Sequence, residues 1–455
     1  MTSMINVFGG DSLSARLVRS IGWTAVGFVA AQMLRLATNL IFARLLYPEA
    51  FGLMALVSVF LVGLAMFSDV GLGPSIMQNK RGDDPAFLNT AWTIQVARGS
   101  LLWLGSCILA QPAAYFYNEQ LLAQLLPAAG LSLLLAGFNP TQIDTANRHL
   151  KLERVVILDL TSQIIGAVIM ILLAWIMRSV WALVIGAVIG ALAKLILAHI
   201  LLPNARNRLA WDPQAARELI HFGKWLFLST ALGFIVAQGD KAILGKYLSL
   251  DTLGLYNIAY FLASAPMLLG GAIISRILIP LYREKPPHER LENFRKVRLL
   301  RFGLTTTILA LMLVLAFCGS WIVHLLYDAR YAMAGAMVTL VACMQIPQVI
   351  GLTYDQAALA NGDSRNFFFL FVARATIQIT CFIIGVEFAG LIGGLTGQGL
   401  AVMLIHPLII NLARRHKVWD WLHDAFFSAV GLALGGLALW INRDAISALI
   451  GIGVS

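Results

Sequence analysis

ARLLYPEAFGLMAL, residues 43–56, returns in pattern as GKYLSLDTLGLYNI, residues 245–258. In both, a basic residue closes one apolar helix, a short turn follows, and Gly-Leu opens the next. At a constant offset of 202 the match extends over 22–57 and 224–259, setting Trp23 on Trp225, Arg44 on Lys246 and Gly52 on Gly254. A second correspondence, QIDTAN (142–147) with QAALAN (356–361), closes the fourth apolar helix of each set, and a basic loop follows each. Two matches in the same order, at the same helix ordinal, mark an internal duplication.

The duplicated units are apolar throughout. Of 455 residues, 59% are hydrophobic and 12% charged, against about 25% charged in ordinary soluble domains. One aqueous core cannot hide that much apolar surface, whereas lipid can serve as its solvent. Windows of about 20 residues, the length needed to cross the hydrocarbon, place spans near 21–45, 51–77, 87–110, 121–146, 155–177 and 180–202. A second set falls near 219–244, 252–281, 300–323, 332–360, 366–388 and 390–412, and a further span near 421–441. The stretch 444–455 is apolar but short. The first span lacks a small-residue cleavage site and is too long for a signal peptide, so it is expected to be retained. The fold class is therefore all-α integral membrane: 12–14 transmembrane helices in two six-helix bundles around a central cavity, plus a C-terminal helix pair. The expected division is 1–203, 204–413 and 414–455. Six helices separate the repeats, so both start on the same side, as parallel repeats about an axis along the membrane normal.

The net charge of +10 would suggest nucleic acid in a soluble protein, but its placement argues otherwise. Most Lys and Arg lie at the N-terminus and in alternate loops: Lys80–Arg81, Arg148–Arg154, Arg206–Lys224, Arg283–Arg301, Arg365 and Arg414–Lys417. The positive-inside rule then puts the N-terminus in the cytoplasm, with anionic membrane lipid as a secondary partner and no nucleic acid. The four cysteines lie inside apolar spans without metal-ligand spacing, so no metal site or disulfide framework is expected. No Walker, HExxH or GxSxG motif occurs, and no loop is large enough for a catalytic domain, so the chain is not expected to be an enzyme or to need a cofactor.

Charges inside the spans carry the functional information. Arg35, Arg98, Lys194, Arg276 and Arg374 lie within them, and facing lipid they would together oppose insertion by roughly 12–17 kcal/mol. Each has two readings, a brace between helices or part of a water-filled wall. Their spread over both halves favours a net-positive cavity, and arginine suits phosphate or carboxylate. Lys194 has the reach to approach the interface, as has Arg276, four residues before Pro280. Asn39 shares a helix face with Arg35. Gln142, Asn147, Gln356, Asn361 and Gln378 fit either sugar contacts or interhelical hydrogen bonds. Asp69, Asp144 and Asp240 are candidate ion-coupling groups, and His406, beside Pro407, a candidate proton relay. Pro140, Pro266, Pro347 and Pro407 are expected to bend their spans.

RSIGW (19–23), ARLLYPEAFGLMALVSVF (43–60) and SDVGLGPSIMQ (68–78) resemble the polysaccharide transporter family, which includes the Wzx-type lipid-linked oligosaccharide flippases of the multidrug/oligosaccharidyl-lipid/polysaccharide exporter superfamily. The resemblance implies a carrier of undecaprenyl-pyrophosphate-linked oligosaccharide in the bacterial inner membrane, for exopolysaccharide, capsule or O-antigen. It implies alternating access through a cationic cavity, in which Arg35, Arg98, Arg276 and Arg374 would hold the pyrophosphate and acidic sugars. A polysaccharide polymerase and glycosyltransferase complex are the implied partners. Two alternatives are a multidrug exporter of the same superfamily, which would favour an acidic cavity, and a membrane glycosyltransferase or ligase using the same lipid.

Overall fold

Hydrocarbon offers the backbone no hydrogen-bond partner, so a chain this apolar must satisfy its peptide groups within helices. The computed structural model describes residues 13–202, 206–284, 286–287, 289–354, 358 and 363–453. Among these, the regular elements are sixteen α-helices and one 3-10 turn at Ala329–Tyr331. Ten helices are long and apolar enough to span a bilayer, and a bent pair of helices makes an eleventh candidate. The chain divides into two compact units, 1–46 with 56–234 and 47–55 with 235–455.

The first unit holds α1 (Leu13–Leu45), most of α2 (Pro48–Phe67), α3 (Leu72–Gln78), α4 (Pro85–Tyr117), α5 (Leu122–Gly137), α6 (Gln142–Arg148), α7 (Leu152–Met177), α8 (Trp181–Leu201) and the start of α9 (Pro213–Tyr247). The sequence sets several of these limits. Asp84 caps α4 by accepting from the Ala86 amide, with Pro85 in the first turn, where its missing N–H has no helical partner to lose. Asn118 ends the helix in the left-handed region at φ 55°, which Asn tolerates better than most residues. Pro140 stands in the 59° break between α5 and α6. Helix α1 packs on α7, α7 on α8, and α5 on both α4 and α8.

The second unit holds the start of α2, the end of α9, α10 (Leu250–Ala263), α11 (Ala265–Glu284), α12 (Leu291–Leu326), α13 (Ala332–Gly351), α14 (Ser364–Arg415), α15 (Trp421–Ile441) and α16 (Arg443–Ser447). Helix α13 is its axis, packed on α10, α12, α14 and α15. The expected spans 366–388 and 390–412 are the two arms of α14, which turns at Ala389 and Gly390, the latter at φ 55°. The arms touch through backbone: a Cβ on Gly385 would lie 2.0 Å from the Gly393 carbonyl oxygen, and one on Gly393 would lie 1.9 Å from that of Gly385. Of the expected C-terminal pair, α15 is a spanning helix and α16 a five-residue turn of helix. Residues beyond α16 fold back, and the Leu391 amide donates to the Ile452 carbonyl at 2.9 Å.

The opening motif acquires a structural meaning here. A Cβ on Gly52 would lie 2.0 Å from the Leu250 carbonyl oxygen, and one on Gly254 would lie 1.9 Å from that of Pro48. The offset that maps Gly52 onto Gly254 also maps Pro48 onto Leu250, so the contact is reciprocal. Each repeat leans its glycine on the other's first helical carbonyl, as a local two-fold requires.

Candidate functional site

Three helices of the first unit leave a cavity of about 420 Å³, within the usual range for ligand sites. Its walls follow from residue spacing. Helix α1 contributes Leu34, Arg35, Thr38, Asn39 and Phe42; α7 contributes Ser162, Gln163, Gly166, Ala167 and Met170; and α8 contributes Gly186, Ala187, Gly190, Ala191 and Lys194. Offsets of one, four, five and eight residues from the first put each set on one helix face. The α8 stripe above Lys194 is glycine and alanine only, and those missing side chains leave the volume open. Arg35 and Asn39 supply a cation and an amide from one wall, Ser162 and Gln163 a hydroxyl and an amide from the next, and Lys194 an ammonium from the third.

The two cations of the cavity differ in state. Lys194 Nζ lies 2.7 Å from Asp159 Oδ1, with both side chains about a third exposed (35% and 39%). Arg35 is exposed and has no ion-pair partner among the described residues. Counting Asp159 with its partner, the lining carries a formal charge of +1, suited to an anion with hydroxyl-bearing neighbours.

The remaining expected site residues lie elsewhere. Arg98, half-buried, donates from Nε to Ser68 Oγ at 3.0 Å and from Nη2 to the Ala65 carbonyl at 2.7 Å, holding α4 to the C-terminal turn of α2. Asp69 accepts from the Gly71 amide at 2.9 Å in the turn that follows α2. Gln142 and Asp144 stand on α6, where Asp144 faces Gly73 and Gln142 Oε1 is buried without a partner. In the second unit, Asp240 is buried and accepts from Tyr256 Oη at 2.5 Å. Arg374 is half-buried in the first arm of α14 and engaged by neighbours. Arg276 lies on α11 with its side chain outside the described residues, and Gln356 and Asn361 fall outside them altogether. The cavity thus brings together Arg35, Asn39 and Lys194 among the expected residues.

Sequence reasoning passed over Asp159, Thr38, Ser162 and Gln163 as site residues. The stripe Asp159, Ser162, Gln163, Gly166 was legible as one polar helix face. A buried polar cluster in the second unit was likewise missed. Asp424 Oδ1 lies 2.7 Å from Tyr354 Oη, and Trp419 Nε1 donates to Oδ2 at 2.9 Å. His406 Nε2 approaches the same carboxylate at 3.4 Å. Arg301, only 1% exposed, donates to Tyr282 Oη at 2.8 Å and covers the Tyr354 ring at 4.4 Å. Arg298 grips Asp420 in a two-point pair at 2.5 and 2.8 Å. These contacts tie α11, α12, α14 and α15 at one end and leave His406 bonded within the cluster.

The long apolar helices and the duplicated motif define a polytopic α-helical membrane fold, and comparison with solved structures bears this out. The lipid II flippase MurJ, in an inward closed conformation, superposes with a TM-score of 0.64 at 13% identity, covering 94% of this chain and 100% of that one. Residues 41–336 match the family described as polysaccharide biosynthesis protein, and the chain belongs to that family. Among its relatives, the succinoglycan biosynthesis transport protein ExoT of Rhizobium meliloti (strain 1021) is 24% identical over 331 residues, 72% of this chain and 65% of ExoT. The lipopolysaccharide biosynthesis protein WzxC of Escherichia coli (strain K12) is 22% identical over 410 residues, 88% of this chain and 80% of WzxC. The match to ExoT therefore spans just under two thirds of that relative.

Proposed function

We propose that this protein is a flippase that carries undecaprenyl-pyrophosphate-linked oligosaccharide across the bacterial inner membrane, for assembly of an exopolysaccharide, capsule or O-antigen. The observation that carries the proposal is the cavity of the first unit, where Arg35, with no ion-pair partner among the described residues, stands among amide and hydroxyl side chains. An unpaired cation there opposes insertion by about 2.5–3.5 kcal/mol, and binding a phosphate offsets that. Membership of the polysaccharide biosynthesis family and the transport relatives support the glycan as cargo. The N-terminus lies in the cytoplasm on this reading, the two repeats alternate access, and the protein acts as a carrier without making or breaking covalent bonds.

A multidrug exporter would place a carboxylate where Arg35 stands, to receive cationic compounds. The two readings separate in proteoliposomes. Labelled lipid-pyrophosphate oligosaccharide should reach the opposite leaflet only when the protein is present, while lipophilic cations should not accumulate. Cation transport with a stationary glycolipid would overturn the proposal.

A further inference from the structure

The segment Arg206–Asp212, which leads into α9, is not helical, yet it is held firmly to the first unit. The Arg208 amide donates to Asn89 Oδ1 at 3.0 Å, the Ala210 amide to Thr93 Oγ1 at 3.1 Å, and the Asp212 amide to Thr90 Oγ1 at 2.9 Å. Thr93 Oγ1 donates in turn to the Ala210 carbonyl at 2.9 Å, and Asn207 clasps Thr141 through two bonds at 2.9 and 3.1 Å. Alternate amides of the strap are thus satisfied by the first turns of α4. With its backbone fixed, the strap leaves Leu209 71% and Trp211 58% exposed, flanked by exposed Arg206 and Arg208. Such display of large apolar side chains on a loop is unfavourable in water.

Depth supplies the explanation. Helix α4 has 33 residues, about 50 Å at 1.5 Å per residue, against a hydrocarbon thickness of about 30 Å. Centred on the bilayer, it extends roughly 10 Å into the headgroups at each end. Asn89 to Thr93 lie about 6–12 Å from its start, where headgroups meet hydrocarbon. Tryptophan favours that level, and arginines there reach lipid phosphates. The one acid of the strap does not cancel them, because Asp212 is paired with Arg81 at 2.6 Å.

We propose that residues 206–211 are an anionic-phospholipid site, in which Leu209 and Trp211 enter the interface and Arg206 and Arg208 hold the headgroup phosphate. Charge complementarity selects anionic over zwitterionic lipid. The inference is independent of the cargo the transporter carries.

The test uses the full-length protein in bilayer nanodiscs containing brominated lipid, which quenches nearby tryptophan fluorescence. Brominated phosphatidylglycerol should quench more than brominated phosphatidylcholine, and Trp211→Phe should remove that excess although ten other tryptophans remain of the eleven. Arg206→Gln with Arg208→Gln should weaken the preference for phosphatidylglycerol by about 30-fold, about 5-fold for each arginine, and raised salt should mimic the change. Excess quenching that survives Trp211→Phe, or a preference unchanged in the double arginine variant, would overturn the proposal. A photoreactive residue in place of Leu209 should label phospholipid, and capture of a protein instead would assign the strap to an acidic protein partner and refute the lipid site.

Discussion

Removing a negative charge from the cavity should strengthen binding of an anionic cargo and slow its release. In Asp159→Asn, Lys194 loses its 2.7 Å partner and the formal charge of the lining rises from +1 to +2. A phosphate about 6 Å from the released ammonium, at an effective dielectric of 20–40, gains on the order of 1–3 kcal/mol, or about 10- to 100-fold in affinity. Arg35→Gln moves the charge to zero and should weaken binding by a similar factor. The double variant returns to +1, so its affinity should fall close to that of the unmodified protein. Binding can be read by equilibrium titration with a short-chain polyprenyl-pyrophosphate sugar, and transport in proteoliposomes. Tighter ground-state binding does not by itself speed a carrier, so Asp159→Asn should lower the half-saturating concentration while turnover falls or stays level. If Asp159→Asn instead weakens binding as Arg35→Gln does, Asp159 acts by positioning Lys194, and reasoning from net charge is wrong.

Three further outcomes follow from the geometry. Gly52→Ala and Gly254→Ala each place a Cβ about 2 Å from a carbonyl oxygen, so each should destabilise by about 1–3 kcal/mol. Because the contact is reciprocal, thermal unfolding of the double variant should show less than the sum, and full additivity would refute a shared contact. Arg98→Met should lower stability, on the order of 1–3 kcal/mol from the lost bonds to Ser68 and Ala65, with cargo affinity unchanged; the reverse pattern would make Arg98 a ligand. The Arg81 guanidinium, bonded to both Asp212 and Asp84, holds the two carboxyls below the ordinary carboxylate range. A depressed folded pKa gives stability that is present above the unfolded value near 4 and lost as pH falls through the folded one. Cleavage in 206–212 by an acid protease should therefore be slight at pH 5 and grow toward pH 3, while Asp212→Asn should flatten that dependence.

The fold was legible because hydrocarbon imposes few solutions: a run of the right length must be helical. The 43–56 repeat was legible for the same reason that Gly52 and Gly254 touch, since a backbone-to-backbone crossing on a two-fold needs glycine from both copies. The glycine spacing Gly186–Gly190, which opens the cavity wall, and Gly393–Gly397, in the second arm of α14, was also present in the sequence as small residues four apart. What was not legible was helix rotation. Arg35 and Arg98 are the same residue, each inside a long apolar helix, yet one faces a cavity and the other is spent on the end of α2. Hydropathy is unchanged when a helix turns about its axis. Lys194 and Asp159 lie 35 residues apart on adjacent helices, beyond the reach of any local spacing rule. The buried cluster of Arg298 and Arg301 escaped because α12 begins at Leu291, well before its apolar run, so residues counted as loop and span edge lie inside a helix.

Counting intramembrane cations therefore overstates the charge offered to a ligand. The insertion penalty that makes such residues informative is relieved in a different way for each. Arg98 uses a helix-end carbonyl and a hydroxyl, Lys194 uses an acid, and Arg374 is engaged by neighbours. Arg35, by contrast with those three, lines the open cavity and has no ion-pair partner among the described residues. On the proposed function, a wall with one net positive charge and a paired lysine in reserve would grip a phosphate without trapping it, the lysine returning to Asp159 when the phosphate leaves. A carrier must release what it binds, and five unpaired cations around one cavity would hold a pyrophosphate too tightly to let it go.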